Sequence, residues 1–585
     1  MRTLVLTLCL TIASTAVAQL PAEIQKGQAL VAAKDYAGAI AILEPFTAAH
    51  PQRPYPWSLL ASAYDQNGDL DKALATYERL LQIPAMRAQG LQGVASIHAR
   101  RKEADEAFAA LEQLRDTGSF DMDLLESDPN FAELRKDARF KRLRRDPADF
   151  AKPFVENVKI LHELRGEAKN SQFGWIARRI GDVDGDKVND WTTSAPTFAV
   201  DNQPAGRVYV YSGKRGTLLW KQTGAAGAQL GTGIEGAGDT NGDGVPDVIA
   251  GAPGTGYAYV YSGRDGKPLL KLGTGAVADT FGRHTSTVGD INGDKRDDVI
   301  VGAPGVNGSA GAAYIYSGKD GALLLTLAGE KANDSFGSAV AGHLGAKRFV
   351  MVGAPGGGPR GTGRVYVYEG LSSKPRFVLD SDESGGAFGG MFLSIPGDTN
   401  GDKVPDLFVS DWANRAKGPS TGRVYVYSGS DGRNLLTLTG EAAGDGFGTS
   451  DSVAGDVNGD GYADLVVGAW QHASAAPSAG RIYLHSGKTG ELLETYTCKT
   501  AGDTWGFDTA NLGDIDGDGT IDFLVTSAWS GVNGFQSGRV FVISSGVHPA
   551  PTSGAPRKNT SSVRTPRSSG SSRRTSGSAP LRRGD

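Results

Sequence analysis

Six nine-residue stretches place oxygen-bearing side chains at the same four positions. They read DVDGDKVND from Asp182, DTNGDGVPD from Asp239, DINGDKRDD from Asp290, DTNGDKVPD from Asp398, DVNGDGYAD from Asp456 and DIDGDGTID from Asp514. Positions 1, 3, 5 and 9 are always Asp or Asn, and position 4 is always Gly. Hard cations take oxygen ligands, and a tight turn lets side chains at 1, 3, 5 and 9 and the carbonyl at 7 face one ion. The spacing therefore predicts up to six Ca²⁺ sites. Their ligands are Asp182, Asp184, Asp186, Val188 and Asp190 in the first loop, and Asp239, Asn241, Asp243, Val245 and Asp247 in the second. The third and fourth use Asp290, Asn292, Asp294, Arg296 and Asp298, then Asp398, Asn400, Asp402, Val404 and Asp406. The last two use Asp456, Asn458, Asp460, Tyr462 and Asp464, then Asp514, Asp516, Asp518, Thr520 and Asp522. The position-7 residue contributes its backbone carbonyl in each. An EF-hand would carry Gly at 6 and Glu at 12. Position 12 here is Thr193, Ala250, Val301, Val409, Val467 or Val525. Six plain acidic turns are the competing reading.

These loops sit inside a repeated unit. An FG dipeptide opens it (Phe173-Gly174, Phe281-Gly282, Phe336-Gly337, Phe388-Gly389, Phe447-Gly448), and the acidic loop follows. An apolar run ending in GAP or a variant comes next, then a GRVYVYSG-type strand and a closing arm such as Asp320–Gly329. Alternating β-branched and aromatic residues mark strands, and SGKDG-type turns join them as hairpins, giving four strands per unit. The long gap between Asp290 and Asp398 hides a degenerate copy, in which His343 stands where the first Asp belongs and the loop is two residues shorter. Seven units of four strands predict a seven-bladed β-propeller over 158–545. The seventh unit lacks its fourth strand. KILHELRGEAKNSQFG, before the first unit, aligns with LLLTLAGEKANDSFG of the third. Val158–Arg165 is therefore expected to supply the outer strand of blade 7, which joins the two ends of the ring.

At these residues the chain resembles the FG-GAP repeat, the propeller unit of the integrin α-subunit head. The resemblance implies Ca²⁺ in the hairpin between strands one and two of a blade, with ligands and partners on the opposite face. The sequence departs from that family in showing no inserted adhesion domain, leg domain or membrane helix. It also carries more acidic loops than is usual for integrin heads. The resemblance therefore implies fold and calcium more strongly than adhesion.

Residues 19–146 read differently. Ala39, Ala73 and Ala107 are 34 residues apart, as are Gly27, Ala61 and Ala95. The middle copy adds Trp57, Leu60, Tyr64, Gly68, Tyr77 and Pro84. Small residues at two fixed positions let paired helices approach, and large ones fill the gaps. This resembles the tetratricopeptide repeat, in three copies followed by capping helices. Such stacks dock peptides or partner proteins on a concave face. Residues 147–157 read as a linker.

The first eighteen residues look like a signal peptide: Arg2, an apolar run from Leu4 to Ile12, and Ala16-Val17-Ala18 before Gln19. Secretion to the periplasm, cell surface or exterior is expected. No transmembrane helix is expected, because no later stretch is apolar for long enough. The mature chain would keep one cysteine, Cys498, and no intramolecular disulfide. Residues 546–585 are rich in Ser and Arg, are predicted to be disordered, and end in Arg583-Gly584-Asp585. Net charge is −5, so with eight basic residues against Asp585 in that tail, the rest is strongly acidic, as metal loops would be.

In the last three units the Pro of GAP becomes Trp412, Trp470 or Trp529, each opening the loop between strands two and three. Aromatic residues on three adjacent blades predict a ligand-binding patch, with inter-blade packing as the competing reading. No G-x-S-x-G elbow or H-E-x-x-H occurs, and His485-Ser486-Gly487-Lys488-Thr489 lacks the first Gly of a phosphate loop. The chain is not expected to be an enzyme. The favoured reading is a secreted calcium-binding adhesion or binding module for protein or carbohydrate, with nucleic acid disfavoured. A structural scaffold of an envelope complex, and a hydrolase or lyase with an unrecognised propeller site, are the alternatives.

Overall fold

The computed structural model describes residues 21–549, except 84–85, 346–347, 382, 384–385 and 451–452. The expected signal peptide, the tail beyond 549 and Pro84 lie outside the described residues.

Six helices pair antiparallel at the N-terminus: α1 (Ala22–Ala32), α2 (Tyr36–Ala49), α3 (Pro54–Asn67), α4 (Leu70–Leu80), α5 (Arg87–Arg101) and α6 (Ala104–Asp116). Asp35 and Asp69 cap α2 and α4 by accepting the N–H of Gly38 and Lys72, which satisfies donors a helix start leaves free. Gly68, at φ 87°, ends α3 in the left-handed conformation. Ala39, Ala61, Ala73, Ala95 and Ala107 are wholly buried at the helix crossings, as their 34-residue spacing requires. Leu125, Phe131, Leu134, Phe140 and Leu143 cover the open end of the stack.

Seven four-stranded antiparallel sheets follow. The second strand is buried at every residue in all seven blades (Asp190–Ala195 in blade 1, Asp522–Ser527 in blade 7). That explains the short apolar runs after each acidic loop. Each buried Val, Leu or Ile there stabilises by about 1.5–3 kcal/mol. The innermost strands neighbour one another around the axis, and that of blade 7 (Thr509–Gly513) meets that of blade 1 (Ala177–Gly181). The ring is closed as expected: Ile160–Arg165 pairs antiparallel with Arg539–Ser544, with Leu164 opposite Val540.

An ion pair recurs between blades. The Arg that opens strand three meets a Glu just after the outermost strand of the preceding blade. The pairs are Arg207–Glu167 (2.6 Å), Arg364–Glu330 (3.3 Å), Arg423–Glu383 and Arg481–Glu441 (3.1 Å). At the junction of blades 6 and 7 the Glu position is Lys499. There the segment read as a linker takes over. Its Phe154 bridges Cys498 and packs on Trp505 (4.7 Å) and Phe541 (5.3 Å). Arg539, wholly buried, donates to the Phe150 carbonyl (2.7 Å) and pairs with Glu163 (3.0 Å) and Asp503 (3.5 Å). Cys498 is buried beside them, and burial raises its thiol pKa. The helical stack itself touches this rim. Lys169 pairs with Asp121 and Asp123 at 2.7 Å, and Arg145 donates to the Ala501 carbonyl. Gly118 lies so close to Gly502 that an added Cβ would stand 2.5 Å from its Cα.

Removing one partner of a buried ion pair leaves an uncompensated charge, at a cost of about 3–5 kcal/mol. Arg539→Ala is therefore expected to lower the unfolding free energy read from urea denaturation by that order, and to open residues 147–157 to protease. Unchanged unfolding and cleavage would show that this junction does not hold the stack.

Candidate metal centres

All six acidic loops lie between the first and second strands of their blades. Positions 4 and 6 have positive φ in each, from Gly185 (83°) and Lys187 (69°) in the first to Gly517 (80°) and Gly519 (84°) in the last. The repeat of Gly at 4, with Gly or Lys at 6, follows from that geometry. The position-1 carboxylate accepts N–H groups from within its own loop. Asp182 takes those of Gly185 (2.7 Å) and Lys187 (2.8 Å), and Asp514 those of Gly517 (2.7 Å) and Gly519 (2.9 Å). The loops are thus wound tightly enough to turn several oxygens towards one point.

Position 9 does something the spacing did not reveal. Asp190, Asp247, Asp298, Asp406, Asp464 and Asp522 each begin the second strand, and each is wholly buried. One oxygen accepts the N–H of position 2: Val183 (2.8 Å), Thr240 (3.0 Å), Ile291 (3.0 Å), Thr399 (2.8 Å), Val457 (2.9 Å) or Ile515 (2.8 Å). The other reaches across the blade to the Ser-Gly turn between strands three and four. It accepts from Gly213 (2.9 Å), Gly263 (3.1 Å), Gly318 (3.0 Å), Gly429 (3.1 Å) or Gly487 (3.1 Å). Gly is required in that turn because a Cβ at Gly213 would run into the Asn189 carbonyl.

Blade 7 has no such turn, since its outer strand comes from Ile160–Arg165. Asp522 Oδ1 is accordingly buried without a hydrogen-bond partner, and so is Asp186 Oδ2 in the first loop. Buried carboxylate oxygens without a donor are what a bound cation satisfies. Asp182, Asp184 and Asp190 bring carboxylate oxygens within 4.8 Å of one another, as do Asp514, Asp516 and Asp522. In the other four loops position 3 is Asn241, Asn292, Asn400 or Asn458, so an amide oxygen replaces the third carboxylate. The donor set fits a hard divalent cation. Basic side chains lean on three loops: Arg215 on Asp184 (2.6 Å), Arg264 on Asp243 (3.6 Å), and Lys159 on Asp516 (2.5 Å) and Asp518 (2.7 Å).

Blade 4 shows what happens without the motif. His343 replaces the first Asp, and Phe349, buried, stands where the ninth belongs. The Ser of the Ser-Gly turn becomes Glu369, and the Gly370 N–H goes to the Arg348 carbonyl (2.9 Å) instead. With the carboxylate gone, the turn's N–H is met by a backbone carbonyl.

At the other end of strand two, Trp470 and Trp529 come together (ring centroids 4.7 Å apart). They join Phe507, Trp175 and Phe392 in one aromatic cluster near the propeller axis. Trp529 is buried, Trp470 and Trp412 half-buried, and Trp412 stands apart from the cluster. Sequence reasoning missed Trp175, Phe392 and Phe507, which follow the FG dipeptide or its variant by one to three residues. It also missed the channel charges beside them. Arg178 donates to Glu235 (3.0 Å) and Asp508 (2.5 Å). Among the described residues no helix is long and apolar enough to cross a membrane.

Comparison with known proteins agrees with this architecture. The FG-GAP repeat family matches residues 233–261, 281–316 and 447–485, and the tetratricopeptide repeat matches 30–97. Integrin alpha-2 of Bos taurus is 34% identical over 169 residues, covering 26% of this chain and 14% of that protein. Integrin alpha-IIb of Homo sapiens is 37% identical over 162 residues, covering 24% and 16%. Integrin alpha-5 of Xenopus laevis is 28% identical over 230 residues, covering 36% and 22%. The chain thus carries FG-GAP and tetratricopeptide repeats and is similar to integrin α propellers, while spanning under a quarter of the length of these relatives.

Burial raises the ninth-position carboxyls, Asp190, Asp298 and Asp464 to about 6 and Asp522 to about 7, with Asp247 and Asp406 also raised. The folded chain then holds protons that the unfolded chain has released above pH ~4. Stability in chelator should therefore fall as pH rises from about 4 to about 7. Urea midpoints measured across that window check the sign; a rise with pH would contradict it.

Proposed function

We propose that this chain is a secreted, calcium-dependent binding module whose six acidic loops hold Ca²⁺ as structural staples. Its ligand would meet the loops between strands two and three, at the end of the blades away from the metal. The carrying observation is the buried ninth Asp, which closes each loop through one oxygen, with carboxylate oxygens gathered within 4.8 Å of one another in the first and last loops. Within each loop, the side chains at 1, 3, 5 and 9 and the carbonyl at 7 would be the ligands. Bound Ca²⁺ would supply charge that offsets the clustered carboxylates. No catalytic role is assigned to any residue.

The relatives are integrins by name, which favours a protein ligand and an adhesive role for the propeller. Trp470 and Trp529, drawn into one cluster, are the proposed ligand-contacting residues, with Trp412 a separate candidate outside it. The tetratricopeptide stack (residues 19–146) would dock a second protein on its concave face. Because it is held against the propeller rim, two partners could be presented in a fixed relation.

With free Ca²⁺ at about ten times Kd, each site adds about 1.4 kcal/mol, so six independent sites add on the order of 8 kcal/mol. EDTA should lower the melting temperature sharply and Ca²⁺ should restore it; an unchanged melt would contradict the staple role. Protein and glycan arrays probed in Ca²⁺ and again in EDTA test the binding role. Trp470→Ala with Trp529→Ala should abolish array binding while the chain stays folded. Loss of folding in that pair would assign both residues to packing alone.

A further inference from the structure

The axial mouth of the propeller, on the side away from the acidic loops, contains a cation with no counter-charge among the described residues. A small cavity there is lined by Trp175, Thr232, Arg283, His284, Met391 and Phe392, from the starts of the innermost strands. Its volume is about 30 Å³. One water needs about 10–15 Å³ by this measure, so the mouth accepts two water-sized groups.

The charges around the mouth are not alike. Arg178 is offset by Glu235 and Asp508. His284 is neutral, its pKa pushed down to about 3 by burial and by Arg178 and Arg283. Arg283 has no hydrogen-bonding or ionic partner for its guanidinium among the described residues, and burial lowers its pKa. A guanidinium drawn from water without a counter-charge is costly, and a carboxylate meets it with two parallel hydrogen bonds. The Trp175 indole is fixed by donation to the Thr232 carbonyl (3.2 Å). It packs on Phe507 (5.2 Å) and Trp529 (5.6 Å). The walls are thus largely apolar, with the hydroxyls of Thr232 and Ser338 among them, and among the described residues Arg283 is the one charged donor of the lining left without a partner.

We propose that the axial mouth binds an acidic side chain of a protein ligand, with Arg283 pairing the carboxylate and Trp175, Met391 and Phe392 packing on its methylene stem. This rests on the binding role proposed above and names the chemistry it would read. An acidic side chain is favoured over a uronic acid because the narrow cavity admits a carboxylate on a slim stem but not one borne directly on a sugar ring.

The test uses the full chain in Ca²⁺, labelled with 5-fluorotryptophan, the Trp175 ¹⁹F resonance being assigned by Trp175→Phe. The probe is the capped peptide Gly-Gly-Glu-Gly-Gly. A saturable shift of that resonance is expected. The Gln peptide, or Arg283→Gln, should weaken it at least about tenfold. Arg283→Lys, which keeps charge but loses the fork, should fall between, and unchanged melting of either variant confirms folding. No shift, an equal shift in Arg283→Gln, or a response to glucuronate alone would overturn the proposal. If the peptide fails while calcium-dependent array binding persists, this inference alone falls. If array binding also fails, the binding role falls with it.

Discussion

In five of the seven blades one buried carboxylate holds three pieces of chain together. The ninth-position Asp starts the central strand, closes its own loop through one oxygen, and reaches the distant hairpin turn through the other. Burying such a group is unfavourable unless its oxygens are met, and an ion paired only partly inside a protein destabilises it. Backbone donors meet part of that demand. The carboxyls nonetheless remain shifted towards the neutral form, Asp522 most of all, where one donor is missing. A divalent cation completes the account in electrostatic terms, which places calcium in the proposal as a structural requirement and not as chemistry. Blade 4 supports the same logic by omission. With Phe349 in place of the carboxylate, an apolar contact fills the position, and the blade keeps its four strands.

The second constraint is closure. A propeller must join its ends, and here the joint is a strand taken from before the first blade. That arrangement draws residues 146–158 to the last blade. Arg539, which in four other blades faces a Glu from the neighbour, instead faces the connector. The departure of Lys499 from the repeat is therefore the trace of the helical stack's attachment. The stack is held by ion pairs and backbone hydrogen bonds, so the two repeat regions behave as one unit at this rim.

Much of this was legible in the sequence because repetition makes position meaningful. The loops counted the blades, the gap between Asp290 and Asp398 exposed the degenerate one, and the stray KILHELRGEAKNSQFG exposed the joint. The 34-residue spacing of Ala39, Ala73 and Ala107 likewise marked the helix crossings. What could not be read was whatever depends on several different units converging. Arg178, Glu235, Arg283 and Asp508 occupy neighbouring places in their units but differ in type, so no pattern linked them. Only closure of the ring brings them to one channel. The three Trp looked equivalent in sequence, yet the cluster takes in Trp470 and Trp529 and leaves Trp412 apart, because neighbours on adjacent blades differ. The double use of the ninth Asp was hidden for the same reason: its second partner lies a hairpin away.

The central claim is that each intact loop is a cation site fastened to its blade by that carboxylate. Native mass spectrometry of the folded chain in Ca²⁺ counts bound ions directly. The account predicts six, one fewer for each ninth-position Asp→Asn substitution, and no change on substituting His343. A count of zero, or one indifferent to those substitutions, would contradict it.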